Sequence, residues 1–443
     1  MNDDATNSAG GANGDGGAAA GGESLDDLRR RAYDARVLAS RLRREFNELS
    51  DPSAPAPVTA PALQEHLREA VAESLRLDEL VQERLMPQQP RAPAQLPSAT
   101  DDSLITDTRR LTKTLGAATT GLEVQIHLRM AQLPTAICHL LDPQQTPLVT
   151  CLVDNVRGEI RRVRVSTRIE GYSARSTQTY EIGIQKSYEF CHLPTLFPDR
   201  ARQVTELTRA TLNVTVEDLD GKLELEQTKP IWLLARTTAP LAVRDPLTGQ
   251  WQDMTRYFGA FVTPNEPSLI KFLRDAAELH PARRLLGYQG DPAEVEPQAE
   301  AIFNALKQKA GITYVNSVVA FSPEDGAANQ RVRLPRESLA DRQANCIDGA
   351  VLFASLLEAA SLNPALVIVP QHAFVAWETW AGSNKWQFLE TTMIGSSTFQ
   401  EARRHAEDDA GMYRSVAATS GPAAFRLWSL RELRATHRIT PME

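Results

Sequence analysis

Apolar and polar side chains alternate in the middle of the chain, and this pattern limits the folds open to it. Residues 162–169 (RVRVSTRI) and 212–217 (LNVTVE) both have a period of two, and the dipeptide Asp220-Gly221 is typical of a hairpin turn. A period of two indicates strands with one buried face. Several such strands without helical patterns between them predict an antiparallel β-sandwich of the immunoglobulin-like kind over residues 122–256.

The polar side of the first pattern is rich in arginine. Arg162, Arg164 and Arg168 would share one face of a strand. Such a face could bind an anion, or it could be an ordinary solvated sheet surface, and we favour the second interpretation.

The N-terminal part of the chain changes character twice. Residues 1–23 consist largely of glycine and alanine, and we expect them to be disordered. From residue 24 apolar side chains recur at spacings of three and four, and a second helical pattern covers about 61–86. Residues 24–86 therefore form either a helical hairpin that closes on itself or a coiled coil for self-association.

Eight prolines lie between residues 52 and 97. We therefore assign residues 87–121 to a proline-rich linker. Residues 257–443 show mixed helical and strand patterns and form the last predicted domain. The predicted fold class is α+β and multidomain.

Composition excludes several classes of protein. The net charge of −8 argues against a nucleic-acid binder that works by bulk phosphate attraction. No apolar run is long enough for a transmembrane helix, and no signal peptide is visible. The four cysteines form no C-x-x-C pair, so we expect neither a zinc site nor a disulfide framework. We expect a cytoplasmic protein that uses no metal and no cofactor.

The segment that begins at Asn345 carries the first candidate for chemistry. Apolar side chains recur at helical spacing over 346–360, Asn345 is a favoured N-cap residue, and Asp348 falls in the first turn. Cys346 would then be the first helical residue. Backbone N–H groups at a helix start stabilise a thiolate and can also receive an oxyanion. This placement predicts a nucleophilic cysteine.

A predicted β-hairpin follows this helix and supplies two further candidates. His372 precedes the strand 373–377, and Glu390 follows the strand 385–389. A turn near residues 381–382 would place His372 and Glu390 side by side at the open end of the hairpin. Cys346, His372 and Glu390 would then supply a nucleophile, a base and an orienting acid.

These motifs resemble the transglutaminase-like branch of the papain fold. The resemblance covers residues 285–400 and rests on Cys346 with the helix DGAVLFASLLEA, on HAFVAW from His372 and on WQFLETT around Glu390. It implies that Cys346 is the nucleophile, His372 the base and Glu390 the acid that orients the base. The family's usual acid is Asp, and many of its members carry immunoglobulin-like modules.

The second oxyanion donor remains open between two glutamines. Gln343 is close to Cys346 in sequence, and Gln289 lies in a predicted turn. Either side chain could donate to an oxyanion, or it could make ordinary surface or turn hydrogen bonds.

Three functions are compatible with these residues. The first is a cysteine hydrolase, with a peptidase that cleaves a protein or peptide amide as the favoured form. The second is a transglutaminase that transfers the same acyl group to an amine and so crosslinks proteins. The third is a scaffold that has lost catalysis but keeps a papain-like domain.

Overall fold

The computed structural model describes residues 60–85, 106–112, 119–155, 159–219, 223–315 and 329–442, together with scattered positions between 27 and 42. The predicted disordered segment 1–23 and the Asp220-Gly221 dipeptide lie outside the described residues. The chain divides into two compact units, Met1–Pro87 and Gln88–Glu443. The protein contains both helices and sheets, as predicted at the level of fold class.

The first unit contains helix α1 (Ala60–Leu85). Leu77 of this helix packs against Leu28, and the guanidinium of Arg31 lies 3.2 Å from the carboxylate of Glu73. Arg31 follows Leu28 in the chain, whereas its partner Glu73 precedes Leu77, the partner of Leu28. The two segments therefore run antiparallel at these contacts.

Nine strands and one short helix form the first part of the second unit. They are β1 (Thr106–Thr112), β2 (Thr119–Leu128), β3 (Gln132–Pro134), β4 (Val149–Asn155), β5 (Arg161–Ile169), β6 (Ser176–Ile182), β7 (Ser187–His192), α2 (Pro198–Arg202), β8 (Thr208–Asp218) and β9 (Leu223–Leu234). One sheet has the order β1-β2-β4-β7 and the other the order β3-β9-β8-β5-β6. All pairs are antiparallel except β3 with β9.

The alternating pattern is confirmed in β5. Val163 and Val165 are buried, whereas Arg162 and Arg168 are exposed. The remaining arginines of the strand already have carboxylate partners. Arg161 lies 2.6 Å from Glu159 and 3.8 Å from the buried Asp218, and Arg164 lies 3.6 Å from Glu217. These pairs favour the solvated-face interpretation over an anion site.

The predicted linker over 87–121 is wrong in its second half. Residues 106–112 form β1, which pairs with β2 over most of its length, and β2 itself begins at Thr119. The proline run ends at Pro97, so nothing after it prevents strand pairing. Threonines favour a strand, and Arg109 and Arg110 are typical of a charged edge strand.

The second part of this unit contains the remaining strands and α-helices. They are β10 (Thr238–Pro240), β11 (Ala242–Arg244), β12 (Trp251–Asp253), α3 (Pro267–Leu279), α4 (Val295–Ala305), β13 (Thr313–Tyr314), β14 (Asn329–Arg331), α5 (Pro335–Asp341), β15 (Gln343–Ala344), α6 (Cys346–Ala359), β16 (Pro364–Val369), β17 (His372–Glu378), β18 (Trp386–Leu389), α7 (Phe399–Ser420), β19 (Arg426–Ser429) and α8 (Leu430–Ala435).

The two regions on either side of the predicted domain boundary, between residues 256 and 257, pack against each other. Strand β10 on one side of it pairs with β14 on the other. The indole N–H of Trp428 donates to the hydroxyl of Thr255 at 3.0 Å. One hydrophobic core runs through both regions.

Helix α6 lies at the centre of the C-terminal region. It packs against β16 and β17 of the antiparallel sheet β18-β17-β16-β19, and α3, α4 and α5 cover it. All its residues from Ile347 to Leu357 are buried. A helix that is apolar on all sides is typical of a domain core, and here it sets the position of Cys346. None of the described helices combines the length and the apolar character that crossing a membrane requires.

Candidate active site

The start of α6 is fixed by reciprocal hydrogen bonds. The side chain of Asn345 accepts the backbone N–H of Asp348 at 2.8 Å, and the Asp348 carboxylate accepts the backbone N–H of Asn345 at 3.3 Å. This capping box satisfies two donors at the helix end. It confirms the predicted N-cap and makes Cys346, which is partly exposed, the first helical residue.

Asp348 is held in this structural role. Its carboxylate also accepts the backbone N–H of Arg333 at 2.7 Å, and the Arg333 guanidinium lies 3.4 Å away. Burial raises the pKa of Asp348, although the hydrogen bonds from the Arg333 and Asn345 backbones act in the opposite direction. Asp348 therefore belongs to the cap and is committed to holding the helix start.

The first turn of α6 can receive an anion. The amides of Asp348 and Gly349 donate to the side chain and the carbonyl of Asn345, at 2.8 and 3.0 Å. The amides of Cys346 and Ile347 have no acceptor within the helix, because the first N–H groups of any helix point out of it. They lie beside the sulfur and can stabilise an oxyanion there.

The two candidate glutamines lie in different places. Gln343 is half-buried in β15, three residues before Cys346. Gln289 is exposed in a turn whose Gly287 packs against Ala360 at the other end of α6. A helix of this length spans about 20 Å, so Gln289 is not an oxyanion donor for Cys346. Its turn position was visible in the sequence, but its packing was not.

A tight turn places His372. Strands β16 and β17 are joined by Pro370 and Gln371, and Val369 pairs directly with His372. Gln371 has a φ of 58°, in the left-handed region that a two-residue turn of this kind requires at its second position. The turn therefore fixes the direction in which β17 starts.

His372 and Glu390 are in direct contact. Their predicted proximity is confirmed, but the strand register makes them diagonal neighbours and not a directly opposite pair. Val375 pairs with Leu389, so Glu390 falls level with Phe374, two residues from His372 on the same face. Atom Oε2 of Glu390 lies 2.6 Å from Nε2 of His372.

Glu390 is buried and ionised. Burial by itself would raise its pKa, but the charge and hydrogen bond of His372, the charge of His405 and the hydroxyl of Thr392 lower it to about 2. Atom Oε1 accepts the backbone N–H and the hydroxyl of Thr392 at 3.0 and 2.7 Å. An ionised carboxylate only accepts, so Nε2 of His372 carries a proton, and Nδ1 is the accepting nitrogen of the neutral ring.

The Cys346 helix touches the segment that follows Glu390. Gly349 is three residues after Cys346 and therefore shares its helix face. A Cβ atom at Gly349 would lie 2.7 Å from Oγ1 and 3.0 Å from Cβ of Thr391, the residue next to Glu390. Helix α6 also packs along β17, which begins at His372. Helix α6 therefore packs against both the strand that begins at His372 and the segment that follows Glu390.

Two residues behind this contact, His405 and Asp409, are not among those predicted from the sequence. Both are buried on α7, and Nδ1 of His405 lies 3.9 Å from Oδ2 of Asp409. Their i,i+4 spacing places them on one helix face with the buried Ala402 and Ala406. In the sequence, the signal for such a buried pair was the presence of two ionisable residues on the apolar face of a helix.

Three of these side chains are close enough to share a metal ion. Ligand atoms of His372, Glu390 and Asp409 all lie within 4.8 Å of one another. Two ligands of a tetrahedral zinc ion, each at about 2.0 Å from it, are separated by about 3.3 Å. The 2.6 Å contact between His372 and Glu390 is a hydrogen-bond distance, and this pair would have to open to bind an ion.

The other three cysteines have environments that suppress thiolate formation. Burial raises the pKa of Cys138 to about 11 and that of Cys151 to about 12. Burial, followed by the charge of Glu189, also raises the pKa of Cys191. Cys138 is also partly exposed at the start of a helix, but that helix is a 3-10 turn of three residues, whereas Cys346 begins an α-helix of 14 residues.

Comparison with known proteins adds no assignment. No protein-family model matches this sequence, and a search of curated proteins finds no significant match.

The ionisation of Glu390 predicts a specific pH dependence. Its pKa is about 2 in the folded protein and near 4.5 when unperturbed. The stability that it contributes is therefore present above about pH 4.5 and is lost as the pH falls toward 2. We expect the difference in unfolding free energy between wild type and Glu390→Gln to shrink by about 2 kcal/mol between pH 7 and 3, measured by urea unfolding.

The exposed Glu278 on α3 provides the control for this measurement. Glu278→Gln should differ little from wild type at any pH in this range. A difference for Glu390→Gln that stays constant from pH 7 to 3 would show that Glu390 is not ionised in the folded protein.

Proposed function

We propose that the protein is a cysteine hydrolase, and specifically a peptidase that cleaves a protein or peptide amide through a thioester. The observation that carries the proposal is the 2.6 Å contact between His372 and the buried carboxylate of Glu390, next to a helix that begins with Cys346. A buried acid that orients an imidazole beside a partly exposed thiol is the arrangement used to activate a nucleophile.

The first half of the reaction follows from these positions. Nδ1 of His372 accepts the proton of the Cys346 thiol, and Glu390 stabilises the resulting imidazolium. The sulfur attacks the carbonyl carbon of the amide, and the oxyanion is received by the amides at the start of α6. The C–N bond then breaks, and the imidazolium proton passes to the leaving amine.

The second half uses the same groups in reverse. His372 accepts a proton from water, whose oxygen attacks the thioester carbon. The C–S bond breaks, the acid product leaves, and the proton on His372 returns to the sulfur. No atom or electron outside the substrate, water and these side chains is needed.

We further propose a transglutaminase-like papain fold for the C-terminal region and an immunoglobulin-like sandwich for the strands before it. The order of Cys helix, His strand and acid strand supports the first, and the two mostly antiparallel sheets support the second. The antiparallel contacts of Leu28 and Arg31 with α1 favour a hairpin over a coiled coil for residues 24–86.

The proposal is tested with peptides from a proteome extract. Wild type and Cys346→Ser are each incubated with the peptides and with a labelled primary amine, and new peptide ends and amine adducts are counted by mass spectrometry. We expect new ends that depend on Cys346, and Cys138→Ser should behave as wild type. Amine adducts in place of new ends would make the protein an acyltransferase that crosslinks, and neither product would favour a scaffold.

A further inference from the structure

A second buried pair of a histidine and a carboxylate lies behind Glu390. His405 and Asp409 are only 6% and 3% exposed and come from α7, which packs against β18. The backbone N–H of Glu390 donates to the carbonyl of Ala402 on the same helix at 3.1 Å. The helix that carries this pair is therefore anchored directly to the acid that binds His372.

Asp409 approaches both members of the His372–Glu390 contact. Its carboxylate oxygen lies within 4.8 Å of a ligand atom of each. Two buried carboxylates at this distance repel each other unless positive charges compensate them. His372 and His405 are the two groups placed to supply that charge, and the charge of His405 already acts on Glu390.

We propose that Asp409 is a positioning residue for His372. It acts as a second carboxylate that, with Glu390, favours the protonated imidazole, and His405 is the counter-charge that allows both carboxylates to be buried. A carboxylate within about 5 Å stabilises a cation even without a direct hydrogen bond. The proposal rests on the proposed function only in its last step, where the imidazolium supports the Cys346 thiolate.

Other charged groups around His372 are engaged elsewhere. Strand β16 carries no ionisable side chain. On α6 the nearest acid to Cys346 is Asp348, which binds Arg333. Arg414 of α7 stacks on the rings of Phe388 and Phe425, and Arg426 of β19 lies 2.5 Å from Asp253. Within the part of the chain that the structure describes, Glu390 and Asp409 are the acidic groups whose measured distances place them at His372.

The test measures the titration of His372 by NMR in the full-length protein. Histidine labelled with carbon-13 gives eight ring signals, and a Cys346→Ser background removes any contribution from the thiol. We expect Asp409→Asn to move the midpoint of His372 to lower pH by about one unit, because a nearby anion is lost. We expect His405→Gln to move it to higher pH, because a nearby cation is lost.

The opposite signs separate electrostatics from a structural role. A pair that only packs the helix would shift His372 in the same direction in both variants, or not at all, and either result would overturn the proposal. Asp409→Glu should restore the wild-type midpoint, and the buried neighbour Met412→Leu is the control for packing. Stoichiometric zinc that is lost in Asp409→Asn would also overturn it, since Asp409 would then be a ligand.

Failure of this inference is distinguishable from failure of the proposed function. The NMR titration does not depend on catalysis, because its background lacks the sulfur. If Asp409→Asn does not fold, His405→Gln decides alone: an upward shift supports the proposal, and no shift or a downward shift overturns it. With the thiol present, alkylation of Cys346 at pH 6 should be several-fold slower in Asp409→Asn, and this reports on the link to the proposed function.

Discussion

Replacing Gly349 with alanine is expected to destabilise the protein by about 1–3 kcal/mol and to slow the alkylation of Cys346. The added Cβ would lie 2.7 Å from Oγ1 of Thr391, closer than real Cβ atoms approach their neighbours, and 3.0 Å from its Cβ, which is a tight contact. Helix α6 or the segment after Glu390 must move apart to accommodate it. Because Cys346 shares the helix face of Gly349, that movement would shift the thiol relative to His372 and Glu390.

The chain offers a matched control for this substitution. Gly411 also lies inside a helix, and a Cβ atom there would meet nothing within 4 Å. Gly411→Ala should therefore stabilise the protein by about 0.5–1 kcal/mol through backbone entropy and helix propensity. Stability is measured by urea unfolding and the thiol reaction by mass spectrometry. Equal effects of the two glycine substitutions would contradict a tight contact at Gly349.

A second substitution should restore part of the loss. The hydroxyl of Thr391 is buried and finds no hydrogen-bond partner among the described residues, so its removal costs little. Thr391→Ala removes the closer of the two contacting atoms and leaves the Cβ at 3.0 Å. The pair Gly349→Ala with Thr391→Ala should recover both stability and alkylation in part. If the double variant is as impaired as Gly349→Ala alone, the contact with Oγ1 of Thr391 is not the cause of the destabilisation.

Replacing His372 with alanine is expected to slow the reaction of Cys346 with iodoacetamide by about tenfold at pH 6.5. A free thiol is only about 1% ionised at that pH, whereas a thiolate paired with an imidazolium is mostly ionised. The gain in ionised fraction is partly offset, because a more stable thiolate is a weaker nucleophile. Peptide mapping by mass spectrometry gives the rate for each cysteine separately.

The other cysteines of the protein are internal references for this experiment. Cys138, Cys151 and Cys191 should react more slowly than Cys346 in the wild type, because burial raises the pKa of each. Their rates should be unchanged by His372→Ala. Equal loss of reactivity at all four positions would indicate a general change in structure, and no loss at Cys346 would separate His372 from the thiol.

Local sequence was sufficient to predict the parts of the site that lie within single elements. The helix start at Cys346 depends on Asn345 and Asp348, which are its immediate neighbours. The contact of His372 with Glu390 followed from one hairpin, and only its register differed, because the strands pair two residues away from the arrangement we expected. Short-range rules describe such features well.

The features that could not be predicted from the sequence depend on contacts between residues that are distant along the chain. Strand β1 exists because β2 pairs with it, and its own sequence of threonines and charges is ambiguous. Gln289 was excluded only by the packing of Gly287 at the far end of α6. His405 and Asp409 join the site because α7 packs on β18, and no spacing between residues 372, 390 and 405 encodes that packing.

The central claim is that His372 acts as the base for the sulfur of Cys346. The ultraviolet absorbance of the thiolate tests it most directly, recorded from acid to alkaline pH as the difference between wild type and Cys346→Ser. We predict that the thiolate signal of His372→Ala appears at higher pH than that of the wild type, because the variant lacks the imidazole. Signals that appear at the same pH in the wild type and in His372→Ala would contradict the account.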